Sequence, residues 1–398
     1  MAGDHATWCE VLAEIIDTAH LATADDLDDL VRAACLRAGI GIDMYLVDIP
    51  ERSLRPLGPG EPIAVDDSPA GRAFQFTDII ADDEPGAVWA PMVDGTHRIG
   101  VALLRLPSGD DPEDAGTRAR CWTLVGLLGH LVMAKSPYSD AFHRLRRTRP
   151  FTVAGELLGQ LLPPRTFASQ DLVVTAVMEP FDQAGGDGFD YAVDDHHAYL
   201  AVFDSTGHDL HAGLITTAVL AATRNARRGH ADLSGIAAAA DDVLRNELPT
   251  GGFSTAVLAT VDLGTGTLRY LLAGHPPPVL LRDGHLVDID TPSPRPPLGV
   301  RAARPTSGIG EVTLRPQDRV LLYTDGVTEA RSPGNEFFGL DRLVALTERH
   351  EIAGLSPPET LRRIIHEVMD HQHGTLQDDA TLMLLEWATQ APARLLPA

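Results

Sequence analysis

Aspartates at the edges of apolar runs are the residues of this sequence whose placement could do chemistry. Asp187 stands in AGGDGFD, Asp204 in AVFDSTGH, Asp325 in LLYTDGVTEA, and the neighbours Asp378 and Asp379 in LQDDATLML. In the last three stretches an apolar run leads into the carboxylate or begins just after it. Carboxylates brought together repel one another and lose hydration, so a native cluster calls for a compensating cation. Oxygen ligands without Cys or His suit hard ions, Mg²⁺ or Mn²⁺, better than zinc. Two such ions about 3.5–4 Å apart acidify and orient a water and polarise a phosphoryl group, which makes a hydrolytic nucleophile without a catalytic serine or cysteine.

Any one Asp–Gly pair is usually a turn; the repetition at four strand edges is what points to a site. Gly185, Gly186, Gly207 and Gly326 beside the carboxylates allow unusual backbone angles and close approach of the main chain to a metal or phosphate. His208, in the TGH turn, is a candidate proton donor, against the plainer reading that a histidine in a glycine-rich turn satisfies backbone groups. His275 precedes a proline run and reads as part of a stiff strand entry. Asp190 completes GGDGFD and is expected to orient a loop rather than bind metal.

These residues must be positioned by surrounding elements. AYLAVFD, STAVLATVD, LRYLLAG, PVLLRDG, RVLLYTD and ATLMLLEW read as strands, with LGTGT joining the second and third as a hairpin. Helical patterns cover 211–228, 236–248 and 356–372, which suggests stacked sheets covered by helices. Upstream, Leu27, Leu30, Val31 and Ala34 fall at helical spacing, MYLVDI (44–49) and GVALLRL (100–106) are short β-like runs, and CWTLVGLLGHLVMA is helical in pattern. Between the halves, 136–165 begins basic and becomes amphipathic, with Leu157, Leu158, Leu161 and Leu162 before Pro163 and Pro164. It reads as a signal-transmitting helix or an ordinary packed linker.

The 398 residues suffice for two or three folding units. A formal charge of −24 lacks the basic footprint that nucleic acid requires, so no nucleic-acid partner is expected. Cys9, Cys35 and Cys121 are widely spaced and indicate neither a disulfide framework nor zinc. No signal peptide is apparent and the longest apolar stretch is too short to span a bilayer; a cytoplasmic protein without membrane association is expected.

Residues 8–136 resemble a GAF domain, on LVDIPERSLRPLG, SPAGRAFQ (68–75) and APMVDGTHRIGVALLRL (90–106). Members of that family hold a small ligand or a dimer partner; a homodimer, a bound small ligand and a plain folded spacer are all open to this region. Residues 150–388 closely resemble the PPM (PP2C-like) serine/threonine phosphatases of the SpoIIE/RsbU branch, on GQLLPP (159–164), AGGDGFD, VFDSTGHDLHAG, LLAGHPPPVLL, LLYTDGVTEAR, FFGLDRL and QDDAT. The expected architecture is therefore α/β (α+β): a GAF-like α/β domain (8–136), a helical linker (137–165) and a PP2C-like α/β/β/α sandwich of two antiparallel sheets (166–388). By this resemblance two Mn²⁺ or Mg²⁺ ions are held by Asp187 and Asp204 from one side and by Asp325 and Asp378 from the other. Ser205 lends its carbonyl, and Asp379 is either a ligand or a supporting neighbour. Gly186, His208 and Gly326 are expected in support.

Two positions depart from the family pattern: Asp209 stands where many relatives have Gly, and Leu272 where they have Asn. Neither is a metal ligand, and no arginine is placed by motif to clamp phosphate. The resemblance implies a protein phosphatase acting on phosphoserine or phosphothreonine, with a phosphorylated anti-sigma-factor antagonist as substrate. The alternative is a catalytically silent scaffold with the same fold. A diguanylate cyclase reading of GGDGF fails because Gly188 replaces a needed acid and FDSTGH follows the glycine pair instead of preceding it.

Overall fold

The computed structural model describes residues 2–180, 183, 185–207, 209–248, 252–301, 308–374 and 376–388, with side chains from Trp8 onward. The chain divides into two compact units between Arg149 and Pro150. Among the described residues no helix is long and apolar enough to cross a membrane.

The N-terminal unit opens with helices α1 (Ala2–Ala19) and α2 (Leu27–Arg37). Strands β1 (Gly41–Val47), β2 (Ser53–Pro56) and β3 (Ile63–Ala64) come next, then helix α3 (Pro69–Phe76). Strands β4 (Ile80–Ala81), β5 (Ala87–Asp94) and β6 (His97–Arg105) precede helices α4 (Ala115–Lys135) and α5 (Asp140–Arg146). The strands form one antiparallel sheet in the order β3-β2-β1-β6-β5-β4. Strand alternation sends Ala102 and Leu104 of β6 into one core with α1, α2 and α4, while Val101 and Leu103 pack with Phe74 of α3. Burial pushes the Cys35 and Cys121 thiols up to about 12, so both serve as apolar packing.

The stretch 137–165 is not one helix. Helix α5 belongs to the N-terminal unit, and α6 (Val153–Leu161) to the C-terminal one. Pro150 removes a backbone donor and biases Arg149 away from helical angles, and Thr152 starts α6 as its cap by accepting from Gly155 N at 3.0 Å.

The C-terminal unit continues with β7 (Thr166–Ala168), β8 (Leu172–Glu179), β9 (Asp187–Val193) and β10 (His197–Ser205). Helices α7 (Leu210–Arg228) and α8 (Leu233–Asn246) lead to β11 (Ser254–Asp262), β12 (Thr267–Ala273), β13 (Val279–Arg282), β14 (His285–Val287), β15 (Gly310–Thr313) and β16 (Arg319–Tyr323). Short α9 (Asp325–Thr328), α10 (Leu340–Ile352), α11 (Pro357–His371) and β17 (Ala380–Trp387) complete it. Two antiparallel sheets result, ordered β15-β12-β11-β10-β9 and β14-β13-β16-β17-β8-β7.

The layering follows from side-chain alternation. Met383 and Leu385 of β17 join the core shared with β10, β11, α7 and α8, whereas Leu382 and Leu384 join the core under α10 and α11. A strand covered on both faces reads as a continuous apolar run, as β17 does. The order is thus helices, five-stranded sheet, six-stranded sheet, helices, which is the expected α/β/β/α sandwich. Strand β8 lies between β17 and β7 and is buried along its whole length; sequence reading passed over it, although LVVTAVME carries the same continuous apolar signal. The β11–β12 hairpin turns through Gly266 at φ +70°, where a Cβ would also stand 2.5 Å from the Trp387 ring.

Candidate metal centre

Register brings the first two aspartates together. Strands β9 and β10 pair antiparallel with Asp187 directly opposite Asp204, an arrangement of like charges that is unfavourable on its own. The second sheet supplies the rest from its end: Asp325 begins α9 immediately after β16, and Asp378 and Asp379 immediately precede β17. Thr324 ties the two sheets together. Its Oγ1 donates to Asp187 Oδ2 at 2.8 Å and accepts from Thr381 N at 2.9 Å, while its backbone N–H donates to the Thr381 carbonyl.

The electrostatics record this convergence. Burial, then the charges of Asp379 and Asp204, hold the Asp187 carboxyl well above the usual carboxylate range. Burial, then Asp325, Asp378 and Asp379, push Asp204 up to about 7. Asp325 is raised by burial and by Glu329 and Asp378. Carboxyls that resist ionising in one another's presence are stabilised by a cation.

Asp379 and Asp378 differ in kind. Asp379 is buried, and its Oδ2 accepts the backbone N–H groups of Gly185, Gly186 and Asp187 at 2.9, 2.8 and 3.3 Å. Asp378 is exposed, and its Oδ1 accepts the N–H of Asp379. The glycines are required by close approach: a Cβ on Gly186 would lie 2.6 Å from the carbonyl oxygens of Ser205 and Gly207, and one on Gly326 would lie 1.9 Å from that of Asp379.

The donor set fits a hard divalent ion in chemical type, being carboxylate oxygen with backbone carbonyls pressed close by glycine. It is open in geometry, for among the described residues no three His, Cys, Asp or Glu side chains form a ready-made cage. An open set suits ions such as Mg²⁺ that take one or two carboxylates and keep several waters.

Beneath the centre runs a buried hydroxyl ladder that sequence reading missed. Thr216 Oγ1 of α7 donates within reach of the Gly186 carbonyl at 2.6 Å, with Ser205 Oγ at 2.9 Å. Ser205 Oγ reaches Ser254 Oγ at 3.1 Å, which in turn lies 3.2 Å from the Asp204 carbonyl. Its trace in the sequence is a threonine among the mostly apolar residues of the inner face of α7, where Thr223 is buried as well.

The remaining candidates separate. His208 lies outside the described residues. His275 is buried with Nδ1 against Thr255 Oγ1 and Nε2 against the Tyr323 carbonyl; a carbonyl only accepts, so Nε2 carries the proton. Burial lowers its pKa to about 4, and the ring serves as a neutral strut between the sheets. Asp190 is ion-paired with Arg224 and Arg227 of α7 at 2.7 and 3.0 Å, tying strand to helix instead of orienting a loop. Asp209, the departure from the family pattern, caps α7 by accepting from the N–H groups of His211 and Ala212.

The fold of the C-terminal unit is that of PP2C-type domains. Residues 194–388 match the family described as Stage II sporulation protein E (SpoIIE). The chain is 23% identical over 233 residues to phosphoserine phosphatase RsbU of Bacillus subtilis, covering 58% of this chain and 68% of that protein. It is 33% identical over 132 residues to protein IcfG of Synechocystis, covering 33% of this chain and 20% of IcfG; the chain thus spans a fifth of that relative's length. The SiaA PP2C domain of Pseudomonas aeruginosa superposes with a TM-score of 0.50 at 22% identity, covering 59% of this chain and 94% of that one, which shows the shared fold.

Proposed function

We propose that this chain is a metal-dependent phosphoserine/phosphothreonine protein phosphatase of bacterial signalling, with a phosphorylated anti-sigma-factor antagonist as substrate. The observation that carries the reading is the meeting of Asp187 and Asp204 on paired strands with Asp325 and Asp378 at the facing sheet end. These four aspartates and the Ser205 carbonyl would hold two Mn²⁺ or Mg²⁺ ions. Asp379 anchors the 185–187 backbone and Thr324 orients Asp187, so both act through the ligands and not on the substrate. Bound ions supply an acidified water and positive charge for the phosphoryl oxygens. The similarity to RsbU supports the substrate class.

The N-terminal unit is read as a GAF-like sensory or dimerising module that acts through the 137–165 stretch. Within the C-terminal unit α6 abuts α7: a Cβ on Gly213 would stand 2.9 Å from Ala154 Cβ. Three residues along α7, Thr216 reaches the Gly186 carbonyl beside Asp187 and the Ser205 hydroxyl beside Asp204. A shift of α6 therefore has a short mechanical route to the centre.

Manganese-dependent release of phosphate from a phosphoserine peptide tests the reading. Wild type should turn over only with the metal present, and Asp204→Asn and Asp325→Asn should fall to background with unchanged circular dichroism. Wild-type rates in both variants refute the mechanism. Partner binding by the wild type without any turnover would favour the silent scaffold.

A further inference from the structure

Asp187 is fastened to the second sheet twice, by the Thr324 hydroxyl and by Asp379, whose Oδ2 takes the N–H groups of residues 185–187. Both ties lie on the β9 side. Held there alone, the two sheet ends could still pivot, and Asp204 would move relative to Asp325. A further tie stands on the β11 side. Thr255 is the register partner of Asp204, so pinning Thr255 pins the strand end that carries Asp204. Its Oγ1 lies 2.8 Å from His275 Nδ1, and His275 Nε2 donates to the Tyr323 carbonyl at 3.0 Å. Tyr323 ends β16, two residues before Asp325. The two bonds run in one direction: Nε2 carries the proton, so Nδ1 accepts and the Thr255 hydroxyl donates.

The ring is itself fixed where the chain crosses from one sheet to the other, between β12 and β13. On one side of it the Gly274 N–H donates to the Arg295 carbonyl at 3.0 Å. On the other, Pro276, Pro277 and Pro278 restrict the backbone. A buried imidazole gives up hydration that an aliphatic side chain of similar size would not, and its two hydrogen bonds offset that loss. Building on the metal-centre reading, we infer that His275 is a positioning residue of the centre: through Thr255 and the Tyr323 carbonyl it sets the separation of Asp204 from Asp325, and with it the affinity for divalent ions. It acts through the two strands and not on the substrate.

The test is Mn²⁺ binding by the full metal-free chain, followed through the electron paramagnetic resonance of the free ion, with the melting temperature of each metal-free variant measured beside it. His275→Leu has a similar size and neither nitrogen, and it should weaken Mn²⁺ binding by about 10- to 100-fold. His275→Gln offers an amide donor and acceptor and should recover most of that loss. Thr255→Val cuts the same tie and should weaken binding as well; adding it to His275→Leu should cost little more, because two members of one connection do not add. A leucine variant that melts lower yet binds Mn²⁺ as wild type does overturns the positioning role, since the ring is then packing alone. A glutamine variant as weak as the leucine one overturns it too. Should His275→Leu fail to fold, Thr255→Val decides, and wild-type Mn²⁺ affinity in that variant overturns the role while the metal-centre reading stands. No Mn²⁺ binding by wild type overturns both.

Discussion

Asp204 shows how one residue's surroundings set its chemistry. On a free strand end it would be an ordinary carboxylate; here burial and three neighbouring acids push it up to about 7. Removing its charge relieves that repulsion when no ion is bound. Metal-free Asp204→Asn should accordingly melt above metal-free wild type at pH 8, and Mn²⁺ should raise the melting temperature of wild type while leaving the variant nearly unmoved. A thermal shift series read without any substrate checks this separately from activity. His350 provides a second residue-scale expectation away from the centre. Burial, followed by the charges of Arg363 and Arg349, lowers its pKa to about 4 from an ordinary 6.5. The unfolded chain then binds the proton more readily, so the contribution is present above pH 6.5 and is lost as pH falls towards 4. Urea unfolding of wild type and His350→Gln across this range should differ in slope between pH 6.5 and 4 and run parallel above it.

At the scale of elements, the centre depends on α7 as much as on the strands that carry its acids. Thr216 is fully buried, and its hydroxyl reaches the Gly186 carbonyl and Ser205 Oγ. Thr216→Val keeps the branched shape but removes one hydrogen bond from each group, leaving the Gly186 carbonyl to the Ser205 N–H and the Ser205 hydroxyl to Ser254, at a cost of about 0.5–1.5 kcal/mol. Misplaced supporting groups typically lower metal affinity or activity by about 10- to 100-fold. Activity titrated with Mn²⁺ should therefore show a higher half-saturation concentration in Thr216→Val, and Thr216→Ser should restore most of it. A valine variant with the wild-type titration would reduce Thr216 to a packing residue. Sequence made the strands and the two long helices of this unit legible because each carries a run of one period. It hid Thr216 and Thr324, whose importance comes from residues eleven or more positions away that share no local pattern with them.

On the scale of the whole molecule, the two units close separate cores: sheet and helices before Arg149 build one set, and the sandwich after Pro150 builds another. Independent cores unfold as independent cooperative transitions. Calorimetry of the full chain should resolve two endotherms, of which Mn²⁺ moves only the one belonging to the C-terminal unit; a single endotherm that shifts as a whole would show the two to be coupled. Sequence by itself determined the sandwich and which acidic residues stand at strand edges, since strand period, turn glycines and residue type are local properties. Tertiary structure alone decided that Asp187 faces Asp204, that Asp379 holds backbone N–H groups while Asp378 stands in solvent, and that Asp190 belongs to the arginines of α7. Those outcomes depend on register and on the meeting of two sheet ends, which no window of neighbouring residues encodes.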